Sequence, residues 1–274
     1  MFKNLLVALE EGSTALTPYA ISLAKRLKAQ ITVVRPRRDE ALMTDGSLAA
    51  RYELAVGDSE ARKARARGSL ETFAAKAMKE GVEAEIILPG DPQDPRRDQL
   101  AEFARAFDFA VVSQAEPGSP PTAEDFAGAL LVESGRPVLV VPAIQREPAS
   151  FARVLVAWDA SAAAARAFGD AAPIFEQAEK VGIIAVTGSK VSRSLQHSGE
   201  RLAGRLMRDG VAAEFKRLPS DEDPANALLS YAADFGADLM VAGGYGHSRI
   251  REALFGGVTR TLLSSQTLPL FLSR

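Results

Sequence analysis

The sequence predicts an α/β protein built of two tandem units, each a doubly wound parallel sheet with helices on both faces. Three observations predict it. Short apolar runs alternate with longer amphipathic segments through all 274 residues. The runs are near-continuously apolar, as strands buried on both faces are. The order of runs in the first half also recurs in the second.

In the first half the strand candidates are residues 5–9, 30–35, 83–88, 109–113 and 138–141. In the second they are 154–158, 182–187, 212–218, 239–242 and 269–272. Helical stretches such as 15–28 and 160–178 separate them. "LVALEEGS" (6–13) mirrors "LVAWDASA" (155–162), and "GVEAEIILP" (81–89) mirrors "GVAAEFKRLP" (210–219). "FDFAVVS" (107–113) mirrors "GADLMVAGG" (236–244), and "RPVLVVP" (136–142) mirrors "LPLFLS" (268–273). Five strands and four helices repeat in order. The expected units are residues 1–145 and 151–274, divided within the polar, proline-containing stretch 143–153. Residues 35–58 have little counterpart in the second half, and their charge and Asp-Gly predict a surface excursion. A solvated helix over 59–80, with Arg62, Lys63, Arg65 and Arg67, follows it.

Charge and composition exclude several classes. The net charge of -2, from 33 basic and 35 acidic residues, gives no broad field for nucleic acid or an anionic membrane. No run approaches the roughly 20 apolar residues of a membrane span. No secretory signal is evident, so a cytoplasmic location is expected. The absence of cysteine removes disulfides, thiolate metal sites and thiol nucleophiles. His197 and His247 are the only histidines; His197 has no ligand-spaced partner, and neither has a convincing setting for a nucleophile-activating triad. No Walker lysine loop occurs. No catalytic or metal-binding residue is assigned, and any ATP hydrolysis is expected to be slow.

The informative stretch is "GGYGHSRIREALFGGVTRTLL", residues 243–263. Gly243, Gly244 and Gly246 follow the fourth strand of the second half, and Gly256 and Gly257 precede a helix. In open parallel sheets, ligands sit beyond the carboxyl ends of the strands. Bare backbone lets N–H groups approach a phosphate, and a helix N-terminus adds partial positive charge. Two glycine clusters in register with one strand and one helix therefore predict a polyphosphate cradle. Thr259, Arg249 and Arg251 lie within reach of it. Tight turns and close helix packing are the structural rival.

The spacing Gly243-x-x-Gly246-x(9)-Gly256 resembles the nucleotide motif of the universal stress protein family. "VLVAWDAS", "DLMVAGGYGHS" and "LPLFLSR" also fit that family, and both halves fit its fold. The resemblance implies five-stranded parallel sheets of order 3-2-1-4-5, paired through their last strands, and a stress-response role. It implies ATP, with or without magnesium, as the ligand. Carried over, Asp159 faces the adenosine end, Ala157 and Val186 line the adenine pocket, and Gly243 and Gly246 meet ribose and phosphate. Gly256, Gly257, Val258 and Thr259 hold the phosphates. The family has serine or threonine where this chain has Gly257, so one hydroxyl donor is missing.

The first half has Ser113 where Gly243 stands and Glu116 where Gly246 stands. Glu124 and Asp125 fall near Gly256 and Gly257. Carboxylates repel a triphosphate, and Pro117, Pro120 and Pro121 lack N–H donors. That half is expected to serve as pairing partner and scaffold. The expected partners are an adenine nucleotide and the other half of the chain, with further homo-oligomerisation left open. A nucleotide-free scaffold and an adenine-nucleotide-dependent enzyme are the alternatives.

Overall fold

The computed structural model describes residues 1–10, 12–36, 48–96, 99–114, 122–187, 193–221, 223–244 and 257–274, with backbone only for 48–59 and 122–125. Its first half runs β1 (Asn4–Ala8), α1 (Leu16–Leu27), β2 (Gln30–Val34), α2 (Leu48–Lys79) and β3 (Ala84–Ile86), then α3 (Leu100–Ala104), β4 (Phe109–Ser113), α4 (Thr122–Glu133) and β5 (Val138–Val141). The second half runs β6 (Arg153–Ala157), α5 (Ala162–Asp170), α6 (Ala172–Phe175), β7 (Lys180–Thr187), α7 (Arg193–Arg208) and β8 (Ala213–Pro219). It closes with α8 (Pro224–Phe235), β9 (Leu239–Gly243), α9 (Gly257–Ser265) and β10 (Leu270–Ser273).

The strands form one sheet of order β3-β2-β1-β4-β5-β10-β9-β6-β7-β8. Each half is a parallel 3-2-1-4-5 arrangement, so the expected two sheets are one continuous sheet. The join is antiparallel, with Leu270 opposite Val140 and Leu272 opposite Val138. Both strands are wholly buried. Buried on both faces, they gain apolar contact on each side, which is why "VLVV" and "LFLS" carry almost no polar alternation. Phe2, Phe109 and Phe271 form an aromatic group across the join, with centroids 4.8 Å apart for Phe2–Phe109 and 5.6 Å for Phe109–Phe271.

Strand alternation sends side chains into two helical layers. Val154 and Val156 join the core under α1, α2, α5, α6 and α7. Leu155 joins the core under α3, α4, α8 and α9. The halves share one register device. The Asp108 carboxylate accepts from Asn4 N at 2.8 Å, where β4 enters beside β1. Asp238 does the same for β6, accepting from Arg153 N at 3.2 Å and from the Ser150 hydroxyl at 2.7 Å.

Two helix expectations are corrected. The helix expected over 59–80 begins eleven residues earlier, at Leu48, so much of the supposed excursion is helical. The single helix expected over 160–178 is two. α5 ends before Ala171, which is not helical, and α6 starts with Pro173 in its first turn. Proline has no N–H to continue the preceding helix, but suits the start of a new one. The stretch between the halves is docked, not loose. Ala149 N donates to Ser22 Oγ at 2.8 Å, Phe151 is fully buried, and Arg26 lies over its ring at 5.4 Å. Among the described residues no helix is long and apolar enough to cross a membrane.

Candidate functional site

Of the sequence-predicted residues, Ala157, Asp159, Val186 and Gly243 lie at or just beyond the carboxyl ends of β6, β7 and β9, where the strand order reverses between β6 and β9. β6 ends at Ala157. Ala157 and Val186 both pack at the rim of the α8/α9 core, so the two expected adenine-lining residues share one face of the sheet. Asp159 is exposed, and its carboxylate accepts from Ser161 N at 2.8 Å. Ala160, between them, has φ +62°, a left-handed conformation that costs a residue with a Cβ. The Asp159 turn stabilises it. Ser161 then caps α5, its hydroxyl accepting from Ala164 N at 3.1 Å. β6 is thereby turned sharply, with the Asp159 side chain fixed at the mouth.

The expected phosphate residues Gly257, Val258 and Thr259 open α9. Gly257 is exposed, and a Cβ there would meet nothing within 4 Å. Val258 is 37% exposed, whereas Thr259 is buried at 6%. The first N–H groups of a helix have no partner within it. Gly257 and Val258 begin α9, at the favourable end of its helix dipole for an anion. Gly246, Gly256, Tyr245, His247, Arg249 and Arg251 lie outside the described residues. Among the described residues no cluster of three or more His, Asp or Glu could hold a metal ion.

Gly243 has a packing role that the spacing motif does not reveal. A Cβ on it would lie 2.4 Å from Ala164 N and 2.6 Å from Ala163 C, in the first turn of α5. The space its missing side chain leaves is filled by helix backbone. Gly244 likewise accommodates Leu131 of α4, whose Cδ2 would be 2.4 Å from an added Cβ. The available signal was the run Ala162–Ala165, small residues where a helix must come close to a strand.

Gln114 was not singled out by sequence. It follows β4, at the position matching Gly244. Its Nε2 donates to Leu263 O and Ser264 O, both at 3.1 Å, and its Oε1 accepts from Ala143 N at 3.2 Å. It thus holds carbonyls at the end of α9, the helix that Gly257 begins. In the first half, Ser113 Oγ donates to Ser13 Oγ at 2.8 Å where Gly243 has only hydrogen. Glu124 and Asp125 lie in α4, already helical, and Glu116 with Pro117, Pro120 and Pro121 is outside the described residues.

Sequence and structure comparisons agree with this architecture. The sequence model of the universal stress protein family matches residues 150–274. No curated protein matches the chain by sequence. Among solved structures, a universal stress protein from Archaeoglobus fulgidus aligns with 100% of this chain and 96% of its own, at 17% identity and TM-score 0.73. A Pseudomonas aeruginosa protein assigned to the same family aligns over 99% and 93%, at 15% identity and TM-score 0.56. An Arabidopsis thaliana family protein with AMP bound aligns over 44% and 90%, at 18% identity and TM-score 0.35. The second half, residues 150–274, thus matches the universal stress protein family model, and the whole chain shares the fold of the Archaeoglobus fulgidus universal stress protein.

Proposed function

We propose that residues 151–274 hold an adenine nucleotide, ATP by the family motif, and that its binding sets the shape or partner choice of a stress-response module. The observation that carries this is the meeting of two features at one carboxyl edge. Ala157, Asp159 and Val186 lie at the carboxyl ends of β6 and β7, and in this reading the N-terminus of α9 stands opposite them. The first would take the nucleoside, the second the phosphates at Gly257, Val258 and Thr259. Gly243, Gly246 and Gly256 complete the cradle, and a magnesium ion would be carried by the phosphates. Residues 1–145 form the partner unit, paired through the β5–β10 ladder, without a nucleotide of their own. Binding is the proposed activity, with any ATP hydrolysis slow.

The fit of Gly243 against α5 favours a second reading, a nucleotide-free scaffold in which the glycines only permit packing. A thermal melt with and without MgATP separates the two. Ligand at about 100 times its dissociation constant adds roughly 2.7 kcal/mol. The expected outcome is a raised melting temperature in the wild type and none in Gly246→Glu, which carries the first half's own residue. An unshifted wild type favours the scaffold.

A further inference from the structure

The single tryptophan of the chain does not face the cradle. Ala157 packs toward α8 and α9, and the next residue, Trp158, joins the core on the opposite face of the sheet. Its indole is 8% exposed and fixed. Nε1 donates to Ser198 Oγ of α7 at 2.9 Å, and that hydroxyl donates to Leu195 O at 2.8 Å.

Beside the indole is an open cavity of about 560 Å³, lined by Trp158, Ser194, His197, Ser198, Arg201 and Leu202. Small-molecule sites typically measure about 300–1,000 Å³. Five of these residues are spaced i, i+3, i+4, i+7 and i+8 on α7, so one helix face builds the wall. The lining is divided. Trp158 and Leu202 offer apolar surface, while Arg201 and His197 offer N–H donors. Neither Arg201 nor His197 makes an ion pair among the described residues. Glu200, the one carboxylate of α7, lies off this face and accepts from Gln196 Nε2 at 2.8 Å. Asp159, next to Trp158 in sequence, is turned to Ser161 N. Arg205 continues the basic face one turn on, over the Phe168 ring at 5.8 Å.

We infer that this cavity is a second ligand site, for a small molecule with an oxyanion group on a flat apolar body. The flat body lies against Trp158 and Leu202. The oxyanion accepts from the Arg201 guanidinium and the His197 ring. Ser198 is a brace and not a donor, because its proton is committed to Leu195 O. The site lies across the sheet from the cradle and does not depend on it.

Trp158 is the only indole, so its emission reports the cavity directly. The full chain is titrated with phenyl phosphate and with benzoate, which share this chemistry. Phenol and inorganic phosphate each supply one half of it. The expected result is a saturable emission change with one or both of the first pair, and none with the second pair at the same concentrations. Arg201→Gln weakens binding about tenfold or more, the loss of a charge-assisted hydrogen bond. His197→Gln weakens it less, and both variants keep the wild-type melting temperature. Gly246→Glu leaves the titration unchanged, which separates this site from the nucleotide proposal. No saturable response at millimolar concentrations, equal affinity in Arg201→Gln, or displacement of phenyl phosphate by ATP overturns the second site.

Discussion

Replacing Gly243 by alanine tests what this glycine does for the fold. The added Cβ would sit 2.4 Å from Ala164 N, 2.6 Å from Ala163 C and 2.9 Å from Ala164 Cα. All three are backbone atoms of the first turn of α5, which Ser161 holds by its cap. No rotamer change relieves the clash, so α5 must move as a body off β9. Overpacking a core costs about 1–3 kcal/mol, and a backbone obstacle places this case near ~3. In a chain of this size each kcal/mol lowers the melting temperature by roughly 2–4 °C, so a fall of about 6–12 °C is expected. Gly257→Ala is the matched control. Its Cβ meets nothing within 4 Å, and alanine in a helix is favoured over glycine by roughly 0.5–1 kcal/mol. Calorimetry without nucleotide should therefore show Gly243→Ala well below the wild type and Gly257→Ala at or above it. An unchanged melt for Gly243→Ala, or an equal fall for Gly257→Ala, refutes the close-packing account.

Gln114→Ala removes two bonds to α9 carbonyls and one from Ala143 N; urea unfolding should show a loss of about 1.5–4.5 kcal/mol, at roughly 0.5–1.5 per net bond. Tyr19→Phe should be neutral or stabilising at pH 7, because the Tyr19 hydroxyl is buried with no hydrogen-bond partner. Burial, reinforced by the nearby Asp238 charge, pushes the Tyr19 phenol above its ordinary value. The unfolded chain then loses this proton first. The contribution is fully present below about pH 10, the ordinary tyrosine value, and declines as pH rises beyond it. Stability measured against pH should fall less steeply on the alkaline side in Tyr19→Phe, and an identical alkaline limb contradicts the assignment.

The fold was legible because its signals are local. Strands such as "VLVV" and "LFLS" are apolar throughout, and Asp223-Pro224 and Gly236 mark the two ends of α8 with a cap, a helix-start proline and a left-handed stop. The join between the halves was legible only through family resemblance, since nothing in either strand specifies its partner. The start of α2 was missed because Asp45-Gly46 reads as a turn and Gly57-Asp58 as a break before the charged stretch that follows. At the site, the glycine spacing points to the carboxyl edge of the second half, where Gly243 ends β9. It could not separate a hydrogen that faces a ligand from one that faces a helix, because both require the same residue.

The two halves show why that distinction matters. By the alignment of β1 with β6, Ser13 matches Ala162. α5 begins at Ala162, whereas α1 begins only at Leu16, three residues after Ser13. Where the second half lays a helical turn against Gly243, the first half has turn residues, and its Ser113 side chain is accommodated and bonded to Ser13. A side chain at this strand end and an early helix start therefore exclude each other. The second half took the glycine and the early helix, which brings Asp159, Ser161 and the α5 N-terminus close to the strand-order reversal. The first half took the serine, and its next residue, Gln114, reaches across to the end of α9. The asymmetry is thus larger than the loss of a glycine motif. One half lays its helix against a bare glycine, and the other spends the matching residues on a serine pair and on holding the end of α9.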